Sequence, residues 1–159
     1  MSVNVKITGQ KELAAAMKMV GKDARRLAAS SMYQEAERVM SASKQESPVG
    51  TDGVLRASGF VKPPQDDGRK ITVELGYGGA AQSYAAAVHE GTRPHFPPVD
   101  ALKPWARKFL GDEDLAFVVA RKISRVGTKP TKFLERPLRE AASGMGERIA
   151  AKIRAGLGA

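Results

Sequence analysis

His89, Glu90, Thr92, Arg93 and His95 crowd into the stretch YAAAVHEGTRPHFPP at 84–98, and its two histidines are the only ones in the chain. Histidine beside a carboxylate suggests a metal centre or a general acid–base pair. A zincin-type centre needs His-Glu-x-x-His, which sets two imidazoles one helical turn apart on one face. Here Gly91 and Pro94 fall between His89 and His95, so no helix aligns them, and the next acid is Asp100. An acid–base pair needs a pocket and a substrate-holding group as well. His89 and Glu90 are adjacent, and adjacent side chains are expected to point apart. The expectation is polar turn or interface groups, with no catalytic residue, no metal and no cofactor.

Two other stretches could touch phosphate. GYGGAAQ (76–82) places glycines between a strand and a helix, but it completes neither the Walker A pattern nor Gly-x-Gly-x-x-Gly, because Ala81 stands at the third position. ARKISRVGTKPTK (120–132) carries Arg121, Lys122, Arg125 and Lys129 ahead of Lys132, with no acid. It lacks interleaved aromatics and any helix-turn-helix signature. These four cations are the candidate DNA-facing groups.

The elements that must position these residues read as α+β. VNVKI (3–7) alternates like a short strand. Leu13, Met17, Val20, Ala24, Leu27, Ala28, Met32, Ala36, Val39 and Met40 follow a helical stripe that ends near Gln45, with a break at Gly21. VLRASGFV (54–61) and ITVELGY (71–77) read as an antiparallel hairpin with a polar tip, joined by 3–7 into a small sheet under the helices. A short helix at 80–88, with Tyr84 and Val88 buried, stops at Gly91. A helix at 97–111 puts Leu102, Trp105, Ala106 and Phe109 on one face, with Pro104 in its first turn or at a kink. The helix at 111–127 has acids at its start, cations at its end, and Leu115, Val118, Val119, Ile123 and Val126 as its buried stripe. From Pro137 a last helix carries Leu138, Ala142, Met145, Ile149, Ile153 and Leu157, weakened by Gly144 and Gly146. The loops 61–70 and 126–134 are expected to be mobile in the isolated chain.

At 159 residues the chain suits one domain (1–159), with 97–127 a helical insertion within it. Alanine supplies much of the apolar content and buries little area per helix, so extra burial in an assembly is expected. Lys and Arg number 26 against 17 Asp and Glu, a net charge of +9 that leans C-terminal. The bland account is a solvated basic face; an acidic partner or nucleic acid is the other. There is no cysteine, which excludes disulfides and thiolate metal sites. MSVNVKITGQKEL lacks the apolar core of a signal peptide, and LAFVVA (115–120) is too short to span a bilayer. A soluble chain made in the cytoplasm, without membrane contact, is expected.

Three phrases in order carry a resemblance. ESPVGTDGVLRASG (46–59) resembles a Pro-Val-x-Thr-Gly-x-Leu-Arg-x-Ser phrase, SYAAAVHEGTRP (83–94) a Tyr-Ala-x-x-Val-Glu/His-x-Gly-Thr phrase, and TKPTKFLERPL (128–138) a Pro-x-x-Phe-Leu-x-Pro-Ala phrase. All three are similar to the minor tail component, or tail completion (neck), family of HK-type lambdoid phages, which is itself similar to the lambda tail completion protein. The chain departs from the pattern at His89 and Glu90, where many relatives carry Glu and an aromatic, and at Leu138, often alanine. The insertion at 97–126 also parts the second phrase from the third. The resemblance implies a non-enzymatic virion protein, made in the bacterial host cytoplasm. It would assemble as a homo-oligomeric ring, six-fold among the candidate symmetries, at the neck or the top of the tail tube. Implied partners are the head-completion or stopper protein, the tail terminator and the tail tube, with non-specific contact to genomic DNA. Tyr84, His89, Glu90, Gly91, Thr92, Arg93, Phe133 and Leu134 are the candidate interface or turn residues. The rival from another class is a basic nucleic-acid-binding accessory protein. A metal-dependent hydrolase rests on His89 and His95 alone.

Overall fold

Ala24, Ala28, Met32, Ala36, Val39 and Met40 recur every three or four residues, and all six are buried. They line the inner face of α1 (Gln10–Glu46) in the computed structural model, which describes residues 2–4 and 10–158, with side chains from residue 21 onward. Gly21 breaks α1 as its residue type suggests, at φ 63° and ψ −151°. The remainder of the expected strand at 3–7 and the side chains of Leu13, Met17 and Val20 lie outside the described residues.

The fold is α+β. A three-stranded antiparallel sheet sets β5 (Glu74–Tyr77) between β1 (Ser2–Asn4) and β2 (Gly59–Val61), with Val3 opposite Leu75 and Phe60 opposite Gly76. The alternation at 71–77 holds: Val73, Leu75 and Tyr77 are buried. The segment nevertheless divides between two ladders, because Ile71–Thr72 (β4) pairs with Gln65–Asp66 (β3) instead. The polar tip is also tied down. Asp66 forms an ion pair with Arg25, and the Asp67 carboxylate accepts the Arg69 and Lys70 amides at 2.8 and 2.7 Å.

Residues 54–57 depart from the expected strand. Gly53 adopts the left-handed conformation and the Asp52 carboxylate accepts the Val54 amide at 3.2 Å, so the chain turns into a single helical turn, α2 (Val54–Ala57). This buries Leu55, and the Ser58 hydroxyl closes the turn on the Leu55 carbonyl at 2.8 Å.

The expected helix at 80–88 is interrupted. A 3-10 turn at Gly79–Ala81 precedes α3 (Ala85–Glu90). The buried positions are Ala81, Ala85 and His89, spaced by four, while Tyr84 is 37 % exposed and Val88 half-buried. The C-terminal helix starts earlier than Pro137 and is two helices. Left-handed Gly144 (φ 72°) separates α6 (Glu135–Ala142) from α7 (Met145–Leu157). Pro137 sits in the first turn of α6, where its missing N–H costs nothing. Met145, Ile149 and Ile153 of α7 pack along α1, whereas Ala142 is exposed.

One charge sits inside this core. Glu35 lies on the apolar face of α1, one turn from Met32 and Val39, and is 1 % exposed. Arg148 of α7 donates to it at 2.8 and 2.9 Å, with Arg38 at 3.3 Å and Lys152 at 3.5 Å. Burial pushes its pKa up, but the Arg148 hydrogen bond and the three cations outweigh this and hold Glu35 ionised. Arg148→Met is therefore expected to cost about 2–3 kcal/mol, since it leaves a buried carboxylate with only its two weaker partners. Glu35→Gln, which strands only half-exposed cations, should cost less. Paired urea unfolding curves check the order, and equal midpoints would refute it.

Helices α4 (Val99–Leu110) and α5 (Leu115–Val126) make up the segment expected as a helical insertion. Ala106, Ala116 and Ala120 are fully buried, so the pair packs mainly on itself through small residues. Pro104 lies in the second turn of α4, not the first of its two expected settings, and removes the bond to the Asp100 carbonyl.

Candidate functional site

The three phrases that carry the resemblance meet around α3. The end of α1 leaves carbonyls without helical partners. Arg56, from the first phrase, donates one guanidinium nitrogen to the carbonyls of Gln45 and Ser47 at 3.2 and 3.0 Å. Arg136, beside the third phrase's Phe133 and Leu134, pairs with Glu46 at 2.9 Å. The first and third phrases are thereby both fixed to the C-terminus of α1.

The second and third phrases interlock. The Phe133 ring stands edge-on to Tyr77 (5.0 Å, 85°) and to His89 (5.0 Å, 90°), and the Tyr77 hydroxyl bonds Ser43 at 2.8 Å. His89 is 3 % exposed. The Leu134 amide donates to its Nδ1 at 3.4 Å. The carbonyl of His89 accepts the amides of Thr131 and Lys132 at 3.2 and 3.1 Å, which caps the end of α3 with the 128–132 connector. His89, Phe133 and Leu134 are thus core groups in the folded chain, not turn or interface groups. The reason is the spacing of Ala81, Ala85 and His89, which turns the histidine inward.

Gly91 and Thr92 close a neck. Thr92 and Thr128 exchange both backbone hydrogen bonds at 3.2 Å, and their hydroxyls meet at 3.0 Å. The backbones approach so closely that a Cβ on Gly91 would lie 2.4 Å from the Thr128 carbonyl oxygen, and one on Gly127 would lie 1.9 Å from that of Thr92. Both glycines have positive φ. The insertion enters and leaves the body through this bridge. Arg93 and His95 lie beyond it, exposed, and the His95 Nδ1–H donates to the Arg93 carbonyl at 2.9 Å.

His89, Glu90 and Glu135 bring ligand-type atoms within 4.8 Å of one another, while His95 is turned to the Arg93 carbonyl. The donor set does not suit a cation. With Nδ1 accepting the Leu134 N–H, the neutral ring carries its proton on Nε2, which faces Glu90 at 3.5 Å. Lys132 already bridges the two carboxylates, pairing with Glu90 and lying 3.1 Å from Glu135. Two internal cavities, one beside His89 and one between α1 and the sheet, measure about 10 Å³ each, room for about one water.

The helices of the insertion differ most from their expected burial. Val118 is 59 % and Val126 67 % exposed, and Trp105, Phe109, Leu110, Leu115 and Phe117 also reach solvent. At 3.6 residues per turn, Val118 points about 180° away from Ala116 and Ala120, which set the buried side of α5. Arg121, Lys122, Arg125 and Lys129 are exposed and make no ion pair among the described residues. Tyr84 and Glu90 are exposed as well.

Comparison of the chain with family models, with curated proteins and with solved structures found no match.

Burial lowers the His89 pKa, with Lys132 adding to the effect and the carboxylates of Glu90 and Glu135 opposing it. The folded form therefore holds the neutral ring. Below an unfolded-state value of about 6.5 the unfolded chain takes up a proton that the folded chain refuses, so stability falls as pH drops through this range. His89→Gln is expected to flatten that part of the curve between about pH 7 and pH 5. Urea midpoints of both proteins against pH provide the check, and parallel curves would count against it.

Proposed function

We propose that this chain is a structural virion protein of a tailed phage, a tail completion or head–tail joining subunit that assembles as a ring at the neck or the top of the tail tube. What supports this reading is where the motif residues lie. Arg56 closes the end of α1, Gly91 and Thr92 close the neck of the insertion, and Phe133 and Leu134 fill the core. Each serves shape, which is what a subunit defined by its contacts requires. Its partners would be further copies and the neighbouring head-completion, terminator and tube proteins.

Two measurements test it. The purified protein should sediment as an assembly, and phage lacking it should accumulate heads and tails that do not join. Infectious particles formed normally without it would overturn the proposal.

The exposed cations of α5 favour a second reading, a nucleic-acid-binding accessory protein. It expects DNA retention at low salt that weakens steeply as salt rises. Arg121→Ala, Lys122→Ala and Arg125→Ala together should abolish it, and unaltered retention would exclude this reading.

A further inference from the structure

The surface that the body leaves uncovered has a chemical order. Among the described residues, eight of the ten exposed large apolar side chains belong to 96–126. Lys108 adds a ninth by holding the loop beside Val49, through the carbonyls of Gly50 and Thr51 at 3.4 and 2.7 Å. Phe96 meets Phe117 at 6.3 Å and Trp105 meets Phe109 at 5.6 Å, and exposed apolar side chains clustered in this way mark a docking surface.

Its charges run in sequence along α5. Asp112 and Asp114 stand at the start, Arg121, Lys122 and Arg125 at the end, and none makes an ion pair among the described residues. On the outer face Asp114, Val118, Arg121 and Arg125 follow a four-three-four spacing, which is the spacing of a helix seam. Each end lacks what the other end carries, so a second copy of the chain supplies both.

We propose that α4–α5 is the contact surface between copies of this chain, with the acidic start of α5 in one copy set against the basic end of α5 in the next. This rests on the assembly reading above and names its surface. A parallel two-fold pairing of α5 would set acidic start on acidic start and basic end on basic end, which like charge disfavours. An antiparallel two-fold contact sets acid on base but closes at two copies, so the ring of the assembly reading takes the head-to-tail form, which repeated by rotation closes on itself. The cations of α5 then belong to the subunit contact rather than to nucleic acid.

Three proteins test this: Val118→Glu; Asp112→Lys with Asp114→Lys; and Arg121→Glu with Lys122→Glu and Arg125→Glu. All positions are exposed, so far-UV circular dichroism should remain that of the parent. Analytical ultracentrifugation should show the parent as an assembly of more than two copies and each variant as a monomer. Mixing the two charge variants one to one should restore the assembly, because each then meets the opposite charge. A parent assembly that survives all three changes overturns this surface and leaves the assembly reading standing. A parent that is monomeric at several hundred micromolar overturns both. Two-copy species alone overturn the head-to-tail arrangement. A monomer that floats with vesicles of phosphatidylcholine and phosphatidylserine makes the occupant a lipid surface and overturns the proposal.

Discussion

Phe133→Ala is expected to destabilise the folded chain by about 3–5 kcal/mol, the range for removing a buried aromatic ring that cannot be replaced by collapse. Its ring touches Tyr77 and His89 at once and is 2 % exposed. Tyr77 is in turn held by Ser43, and His89 by the Leu134 amide, so neither neighbour is free to swing into the gap. Phe133→Leu, which keeps most of the volume, should recover about half of the loss. Guanidinium unfolding at neutral pH measures both. A loss below about 1 kcal/mol for the alanine variant would mean that the ring is not the keystone of this region.

The second large effect belongs to the neck. Gly127→Ala is expected to break the Thr92–Thr128 bridge, because its Cβ would sit 1.9 Å from a backbone oxygen and its φ of 70° is itself unfavourable. The backbone term alone is worth about 1–2 kcal/mol. Gly111→Ala supplies the comparison: it also has positive φ, at 79°, but a Cβ there meets open space. Hydrogen exchange should show lost protection across 92–128 in Gly127→Ala while α1 and α7 keep theirs. Similar exchange in the two variants would show that the close approach at the neck carries no stability of its own.

The elements set by repeating patterns were legible in the sequence. The stripe of α1 and the alternation of β5 each bury their apolar side in the folded chain, because one neighbour covers each. The exception in that stripe is legible too: Glu35, an acid between Met32, Ala36 and Val39, must be either exposed or paired. Residues 54–57 were not, because a four-residue turn has no period, and Gly53 and Asp52 decided it. His89, expected as a turn or interface group, lies in the core because a 3-10 turn at Gly79–Ala81 interrupts the expected helix and the helix that follows runs to Glu90 with His89 on its buried side. For α5 the apolar pattern predicted burial of Val118 and Val126, which the single chain leaves exposed. Periodicity states that a face avoids water and does not name what covers it.

The neck also governs what the body experiences of its insertion. Thr92 and Thr128 are 36 positions apart along the chain yet bonded to each other. To the body this excursion is a closed loop, and closing it rather than a two-residue turn costs roughly 2.5 kcal/mol at about 0.6 kcal/mol per doubling of length. The helices inside pack mainly on each other, and contacts so local in sequence are the kind that form fastest. The body can therefore tolerate a shorter, longer or altogether different excursion at Gly91–Thr128, so contact surfaces can diversify there while the core sequence stays unchanged.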